Sequence, residues 1–275
     1  MSKDKDPLIL VRGGGDLATG VALRLHRTGM KVVITELAEP LAVRRAVSFA
    51  EAVYEGKHTV EEVTARRAEP DQVAACLEAR EIPILIDPDA NILLSPFNFS
   101  VVVDARLLKS APAPLPADVP LHIGLGPGFH AGRNCDALIE THRSHTLGRV
   151  HWTGPAQPDS GLPEGDPRRV LRAPSDGTLI GLKQIGDHCQ AGDVVAEIRA
   201  GDSTRTLVYS PLAGVLRGIV RDGIRVTKGL KIGDVDPRDD PSACFLVSDK
   251  ALAIGGGVLE AILTREEIRK ELFAP

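Results

Sequence analysis

The N-terminal part of the chain changes from one hydrophobic period to another. Residues Leu8 to Arg12 form a short apolar run that three glycines end, which predicts a buried strand. The next apolar residues recur every four positions, which predicts a helix, at Leu17, Val21 and Leu25. A second apolar run, Lys31 to Glu36, predicts another strand. Strand, glycine turn, helix and strand within about 30 residues form a βαβ unit.

Strand-like and helix-like segments continue to alternate after this unit. A helical pattern covers 70–80, and short apolar runs occupy 83–87, 101–104 and 121–125. Such alternation is typical of a mainly parallel sheet with helices on both faces. We therefore expect an α/β, Rossmann-like nucleotide-binding domain over residues 1–152.

The second half of the chain contains an internal repeat. Residues 153–167 are rich in proline and glycine and predict a linker. Beyond it, a proline, a leucine and three glycines recur 37 residues later: Pro174, Gly177, Leu179, Gly186 and Gly192 match Pro211, Gly214, Leu216, Gly223 and Gly229. Repeated turns predict a pseudo-symmetric β domain over residues 168–240. Residues 241–275 are expected to form a strand at Ala251–Ile254 and helices that pack on the first domain.

Composition narrows the functional classes. The chain has a formal net charge of −4 and a pI of about 6.1, which argues against binding of nucleic acids or anionic membranes. The charged N-terminus predicts no signal peptide, and no apolar stretch approaches the length of a membrane span. The four cysteines form no C-x-x-C pair. Together these features predict a cytoplasmic protein.

The first glycine-rich loop matches a dinucleotide fingerprint. In Gly13-x-Gly15-x-x-Ala18 the first glycine permits a tight turn, the second lets the backbone approach a pyrophosphate, and the alanine permits close packing. The expected phosphate contacts are therefore Gly13, Gly14, Gly15, Asp16, Leu17 and Ala18. Glu36 ends the next strand, where an acid that binds ribose is expected. A glycine-rich turn without a ligand is the alternative.

Asp16 and two further residues have alternative roles at the same site. The Asp16 carboxylate would repel phosphate, so it is expected to cap the helix or to hold a bridging metal. The Thr19 hydroxyl is a candidate phosphate donor. Arg44 follows the second strand and is either a phosphate contact or a solvated cation.

A second glycine-rich loop follows the strand at 121–125. Its glycines Gly126 and Gly128 are candidate ligand contacts, since ligands of open α/β sheets bind at the carboxyl ends of strands. Cys135 lies nearby among polar residues and is a candidate nucleophile, with a small buried core residue as the alternative. Three histidines are either a metal cluster or structural residues: His130, His142 and His145. The identity of any metal stays open.

Several strings in the chain resemble one bacterial family. They include 12–20 (RGGGDLATG), 40–45 (PLAVRR), 48–56 (SFAEAVYEG), 126–129 (GPGF), 231–238 (KIGDVDPR) and 255–261 (GGGVLEA). In combination they resemble the selenium-dependent molybdenum hydroxylase system accessory proteins. The first half also looks distantly like xanthine dehydrogenase accessory proteins. One departure is Ser144, where that pattern has glycine.

This resemblance implies a maturation protein for a selenium-dependent molybdenum hydroxylase. The implied partners are the hydroxylase client and a small-molecule nucleotide, and the candidate cofactors are NAD(P), a nucleoside triphosphate and the molybdenum cofactor dinucleotide. The repeat separately resembles the barrel-sandwich fold of biotinyl and lipoyl domains, although its hairpin at 200–205 has no lysine. An NAD(P)-dependent oxidoreductase and a nucleotide-sensing scaffold remain alternatives. Whether the chain is an enzyme, and whether it forms a homo-oligomer, stays open.

Overall fold

A computed structural model describes residues 7–158, 166–201 and 204–272. The chain separates into two compact units. Unit 1 comprises residues 1–40, 49–160 and 247–275, and unit 2 comprises residues 41–48 and 161–246. Both units are therefore built from discontinuous segments. The expected linker at 153–167 falls partly outside the described residues, as do positions 202 and 203 of the hairpin in the repeat.

Unit 1 is a mixed α/β structure. Its strands are β1 (Leu8–Arg12), β2 (Lys31–Glu36), β3 (Lys57–Val60), β4 (Val63–Arg67), β5 (Ile82–Ile86), β6 (Phe99–Asp104), β7 (Leu121–Leu125), β8 (His130–Ala131), β9 (Ala137–Ile139), β10 (Val150–His151) and β11 (Gly154–Pro155). Its helices are α1 (Asp16–Arg27), α2 (Ala52–Glu55), α3 (Val73–Glu78), α4 (Asp249–Thr264) and α5 (Glu266–Leu272), with short 3-10 helices at Phe49–Glu51, Pro70–Gln72 and Asn91–Leu94.

Nine of these strands form one sheet in the order β10-β9-β7-β6-β1-β2-β5-β4-β3. All neighbouring pairs are parallel except the two outermost, β3 with β4 and β9 with β10. The predicted α/β class with a large, mainly parallel sheet is thus confirmed. From β1 the chain adds strands on one side through β2 and then crosses to the other side through β6. The order of the strands therefore reverses between β1 and β6.

Helices α1 and α4 pack against each other in unit 1. A Cβ atom on Gly20 of α1 would lie 2.6 Å from the Cβ atom of Ala251, so only glycine permits this contact. The expected strand at Ala251–Ile254 is wrong, because these residues form the first turns of α4. Ser248 caps this helix by accepting a hydrogen bond from the Ala251 N–H. The three glycines at 255–257 lie inside this helix.

An apolar cluster covers part of the sheet in unit 1. It joins residues of β1, β2, β5 and β6 to Val73 of α3, with partly buried side chains from the segment between β6 and β7: Leu115, Ala117 and Val119. An extended segment therefore packs where a regular doubly wound sheet has a helix.

Unit 2 contains two four-stranded antiparallel sheets. Its strands are β12 (Val170–Arg172), β13 (Gly177–Gly181), β14 (His188–Cys189), β15 (Val194–Arg199), β16 (Arg205–Tyr209), β17 (Gly214–Ile219), β18 (Arg225–Val226) and β19 (Lys231–Asp236), with 3-10 helices at Arg45–Val47, Pro167–Arg169 and Pro241–Phe245. The sheet orders are β12-β19-β17-β14 and β16-β15-β13-β18. The repeated glycines Gly177 and Gly214 begin β13 and β17, which occupy corresponding places in the two sheets.

We correct the expectation of a biotinyl- and lipoyl-like barrel-sandwich domain. The structure shows a pair of four-stranded antiparallel sheets in its place. The 37-residue repeat predicts where strands begin and end. It does not specify how those strands pair into sheets. Repeated turns were therefore insufficient to specify one fold. In the described part of the chain, no helix is long and apolar enough to cross a membrane.

Candidate functional site

The reversal of strand order between β1 and β6 makes the carboxyl edge of these strands the natural place for a ligand. In the register of the sheet, Arg12 at the end of β1 is paired with Thr35 on one side and Asp104 on the other. Asp104 is in turn paired with Gly124 of β7. The loops that follow these strands therefore emerge side by side.

Gly13 and Gly14 are glycines because of contacts within unit 1. Gly13 has a φ of +96°, and its Cβ position would lie 3.4 Å from the Ala105 carbonyl oxygen. The Cβ position of Gly14 would lie 2.9 Å from the Ala50 nitrogen, and the Ala50 N–H donates to the Gly14 carbonyl. A tight turn and close packing explain both residues without a ligand.

Gly15 differs from the other two glycines. It has extended backbone angles, φ −65° and ψ 179°, which other residues adopt readily. No atom lies within 4 Å of its Cβ position. Local packing therefore does not require glycine here, and the space beside Gly15 is open.

Gly15 is also the N-cap of α1, and no side chain caps this helix end. The first i→i−4 hydrogen bond of the helix runs from the Thr19 N–H to the Gly15 carbonyl. The N–H groups of Leu17 and Ala18 therefore have no acceptor inside the helix. Asp16 is the first helical residue, so the expected cap position belongs to Gly15. A helix end of this kind attracts anions.

The Thr19 hydroxyl is buried and used within the fold. It donates to the Gly14 carbonyl at 3.3 Å and accepts the Phe49 N–H at 2.9 Å. Thr19 therefore connects the glycine loop to the segment after β2 and is a structural residue, which corrects its expected role as a phosphate donor.

Glu36 lies against the glycine loop, as its position at the end of β2 predicts. Its Oε2 atom accepts the Gly14 N–H at 2.6 Å, and its Oε1 atom accepts the Leu37 N–H at 2.7 Å. Each carboxylate oxygen has a second lone pair, so Glu36 retains the capacity to accept hydroxyl donors.

A charged cluster at the ends of β1 and β6 was missed by the sequence reasoning. Asp104 is fully buried, and it accepts from Arg12 Nη1 at 3.5 Å, Arg106 Nε at 2.8 Å and Arg106 Nη2 at 2.6 Å. Arg12 Nη2 also donates to the Pro88 carbonyl at 2.9 Å. Burial lowers the pKa of Arg12. The sequence does show one feature that could have predicted this cluster: the apolar strands β1 and β6 each end in a charged residue, Arg12 and Asp104.

Arg44 belongs to the other unit. Its guanidinium donates to the carbonyl groups of Ala243 and Leu246, all within unit 2. Its backbone carbonyl accepts the Ser48 hydroxyl. These contacts fix the segment 41–48 within unit 2, and we leave Arg44 out of the site in unit 1.

The glycines of the second loop are explained by close packing against the segment after β6. A Cβ atom on Gly126 would lie 3.4 Å from the Leu107 Cα atom, and one on Gly128 would overlap the Ser110 carbonyl. The Gly128 N–H donates to the Leu108 carbonyl at 2.7 Å. The second loop thus supports the residues that follow Arg106.

Cys135 lies in a small apolar cluster with Phe129, Ala131, Leu138 and Ala156. Burial raises the pKa of its thiol to about 11. A protonated, buried thiol is a poor nucleophile near neutral pH. The described residues contain no group of three His, Cys, Asp or Glu side chains that could hold a metal, so the histidines considered above form no such cluster.

Comparison with known proteins gives one relative in sequence. The chain is 44% identical over 263 residues to the uncharacterized protein YqeB of Escherichia coli K12, covering 93% of this chain and 47% of that protein. The chain thus spans about half the length of this relative. No family model matches the chain.

Solved structures match the chain at low similarity. The ectoine utilization protein EutE (DoeB) of Ruegeria pomeroyi is 13% identical, with a TM-score of 0.27 over 84% of this chain and 85% of that one. An aspartoacylase family protein of Mesorhizobium loti is 16% identical, with a TM-score of 0.29 over 84% and 85%. A succinylglutamate desuccinylase/aspartoacylase of Rhodobacter sphaeroides is 14% identical, with a TM-score of 0.27 over 84% and 85%. At these TM-scores no activity is transferred to this chain.

These findings correct the assignment made from sequence strings. The structures named above are described as an ectoine utilization protein, an aspartoacylase family protein and a succinylglutamate desuccinylase/aspartoacylase, and the relative in sequence is described as uncharacterized. None of these descriptions connects the chain with selenium, molybdenum or hydroxylase maturation. The comparisons therefore give the accessory-protein assignment no support, and we withdraw it together with its molybdenum hydroxylase client and cofactor. Neither of the alternatives that stood beside it, an oxidoreductase and a sensing scaffold, gains support from these comparisons.

Proposed function

We propose that unit 1 binds a phosphate-bearing small molecule of the nucleotide class at the carboxyl edge of its parallel sheet. The observation that carries this proposal is the uncapped N-terminus of α1 at Gly15, which faces open space beside the reversal of strand order. The N–H groups of the first helical turn would hold the phosphate.

Glu36 favours a nucleotide over a bare phosphate. Its carboxylate accepts the Gly14 N–H, so a negative charge lies next to the loop. That charge repels phosphate near Gly14 and favours phosphate on the far side of the loop, near Gly15 and Leu17. The same carboxylate can accept hydrogen bonds from ribose hydroxyl groups.

Gly15→Val tests the proposal because it fills the open space without straining the backbone. Calorimetry with NAD, NADP, ATP and CTP should find at least one ligand that binds the parent protein more tightly than millimolar. For that ligand, Gly15→Val should lower the affinity about 10- to 30-fold, since the first turn of a helix contributes up to about 2 kcal/mol to a bound anion.

Gly256→Val is the matched control. Gly256 lies in α4 and likewise has no atom within 4 Å of its Cβ position. This variant should bind like the parent, and thermal unfolding should show both variants folded. The proposal fails if no nucleotide binds more tightly than millimolar, or if Gly15→Val binds as well as the parent.

A further inference from the structure

The Arg12–Asp104–Arg106 cluster lies directly beside the glycine loop, and the nucleotide proposal leaves it unused. The Cβ position of Gly13 is 3.6 Å from the Arg106 Cα atom. The side chain of Arg106 is 29% exposed, whereas that of Asp104 is fully buried. Arg106 is therefore the member of the cluster that a ligand at the loop can reach.

The hydrogen bonds of Asp104 orient Arg106. The carboxylate accepts hydrogen bonds from the Nε and Nη2 atoms of Arg106, and it also accepts the Arg106 backbone N–H at 3.4 Å. One edge of the guanidinium is thus occupied. Among the described residues, Arg106 Nη1 has no acceptor, so the edge formed by Nη1 and Nη2 retains donors for a planar or tetrahedral oxyanion.

Arg12 supplies the second observation. It is 4% exposed, and its Nε–H is buried without an acceptor in the described part of the chain. Buried donors in native structures nearly always have a partner, so this one indicates a polar group absent from the protein itself. The Asp87 carboxylate attracts the Arg12 guanidinium electrostatically. It also accepts the Asn91 and Ile92 N–H groups in the turn after β5.

We infer that Arg106 binds a second phosphate of the ligand, so that the site selects a diphosphate over a monophosphate. This inference rests on the proposed function, because the first phosphate occupies the N-terminus of α1. Asp104 carries one negative charge against the two positive charges of Arg12 and Arg106. Asp87 and Asp89 also carry negative charge near Arg12, so the directed donors of Arg106, and not an excess of positive charge, hold the second phosphate. Asp104 acts as the positioning residue of Arg106.

Inorganic phosphate and pyrophosphate test the inference by calorimetry on the full chain. In Arg106→Met the affinity for pyrophosphate should fall about 10- to 100-fold, as expected for loss of charge-assisted hydrogen bonds, whereas the affinity for phosphate should change less than about threefold. Arg106→Lys should give an intermediate loss, because lysine keeps the charge and lacks the fork.

Arg168→Met is the matched control. Arg168 also donates from Nε and Nη2 to a carboxylate two residues earlier, that of Asp166, and it lies in unit 2. This variant should bind both anions like the parent. Arg106→Met leaves the buried Asp104 carboxylate paired with Arg12, so no buried charge loses its partner, and thermal unfolding should show that this variant is folded.

The outcomes separate the two proposals. If phosphate and pyrophosphate affinities fall equally in Arg106→Met, or if pyrophosphate binding is unchanged, the inference about Arg106 is overturned while nucleotide binding at Gly15 stands. If the parent binds neither anion and no nucleotide, both proposals are overturned.

Discussion

Burial determines what the Cys135 thiol can do. Its pKa of about 11 means that the thiolate is scarce at pH 8, so iodoacetamide should alkylate Cys135 slowly in the native protein. The other three cysteines are also buried, and burial raises their pKa values as well. Mass spectrometry of tryptic peptides should therefore show labelling of all four only after unfolding in urea.

A Cys135→Ala variant provides the functional half of this test. It should bind the nucleotide identified by calorimetry with unchanged affinity. Rapid and selective labelling of Cys135 in the folded protein would contradict the assignment of this residue to the core.

Glu36 is expected to influence the ligand through its charge. Glu36→Gln keeps an oxygen that can accept the Gly14 N–H but removes the negative charge beside the loop. The variant removes the repulsion between the carboxylate and an anion a few ångströms away. In a partly solvated site this should raise the affinity for pyrophosphate about three- to tenfold. The affinity for the nucleotide should rise less, since the carboxylate no longer accepts ribose hydroxyls. Equal gains for both ligands would remove Glu36 from the ribose site.

At the scale of elements, the contact of α1 with α4 depends on Gly20. A valine there would overlap the Ala251 backbone and side chain, with the carbonyl oxygen 2.8 Å from its Cβ atom. Gly20→Val should lower the free energy of unfolding by about 1–3 kcal/mol or more, as overpacking does in buried contacts. Urea denaturation measures this, with Gly256→Val as the control that leaves stability nearly unchanged.

The end of β19 predicts how stability responds to acid. The Arg238 guanidinium lowers the pKa of Asp236 to about 2 in the folded protein. A depressed folded pKa stabilises the protein above the unfolded value near 4, and this contribution is lost as pH falls towards 2. The free energy of unfolding should decrease between pH 4 and pH 2, and Asp236→Asn should reduce that decrease. An identical pH profile in the variant would contradict this role.

Sequence patterns predicted helices and strands well where a segment followed a single hydrophobic period. The apolar runs of β1 and β2 and the four-residue spacing of α1 all appear where expected. The strand expected at 251–254 is instead the start of α4, and the glycines at 255–257 lie inside this helix although glycine usually interrupts one. Two of these glycines permit close approach to α4: a Cβ atom on Gly255 would lie 2.8 Å from the Gly20 carbonyl, and one on Gly257 would overlap the Gly148 carbonyl.

At the scale of the whole molecule, the sequence located only part of the candidate site. The glycine loop and Glu36 follow from local motifs, but the pairing of Arg12 with Asp104 joins residues 92 positions apart. Such pairing depends on the strand order, which periodicity does not specify. The same limit explains why Arg44 was expected at the site in unit 1. No local pattern shows that the eight residues 41–48 belong to unit 2.

Amide chemical shifts of the full-length protein, recorded by NMR during titration with pyrophosphate, test the central claim most directly. Binding at the N-terminus of α1 predicts progressive shifts for Gly15, Asp16, Leu17 and Arg106, whereas amides of unit 2 stay in place. Saturable shifts confined to unit 2, or no shifts at the N-terminus of α1 at millimolar pyrophosphate, would contradict it.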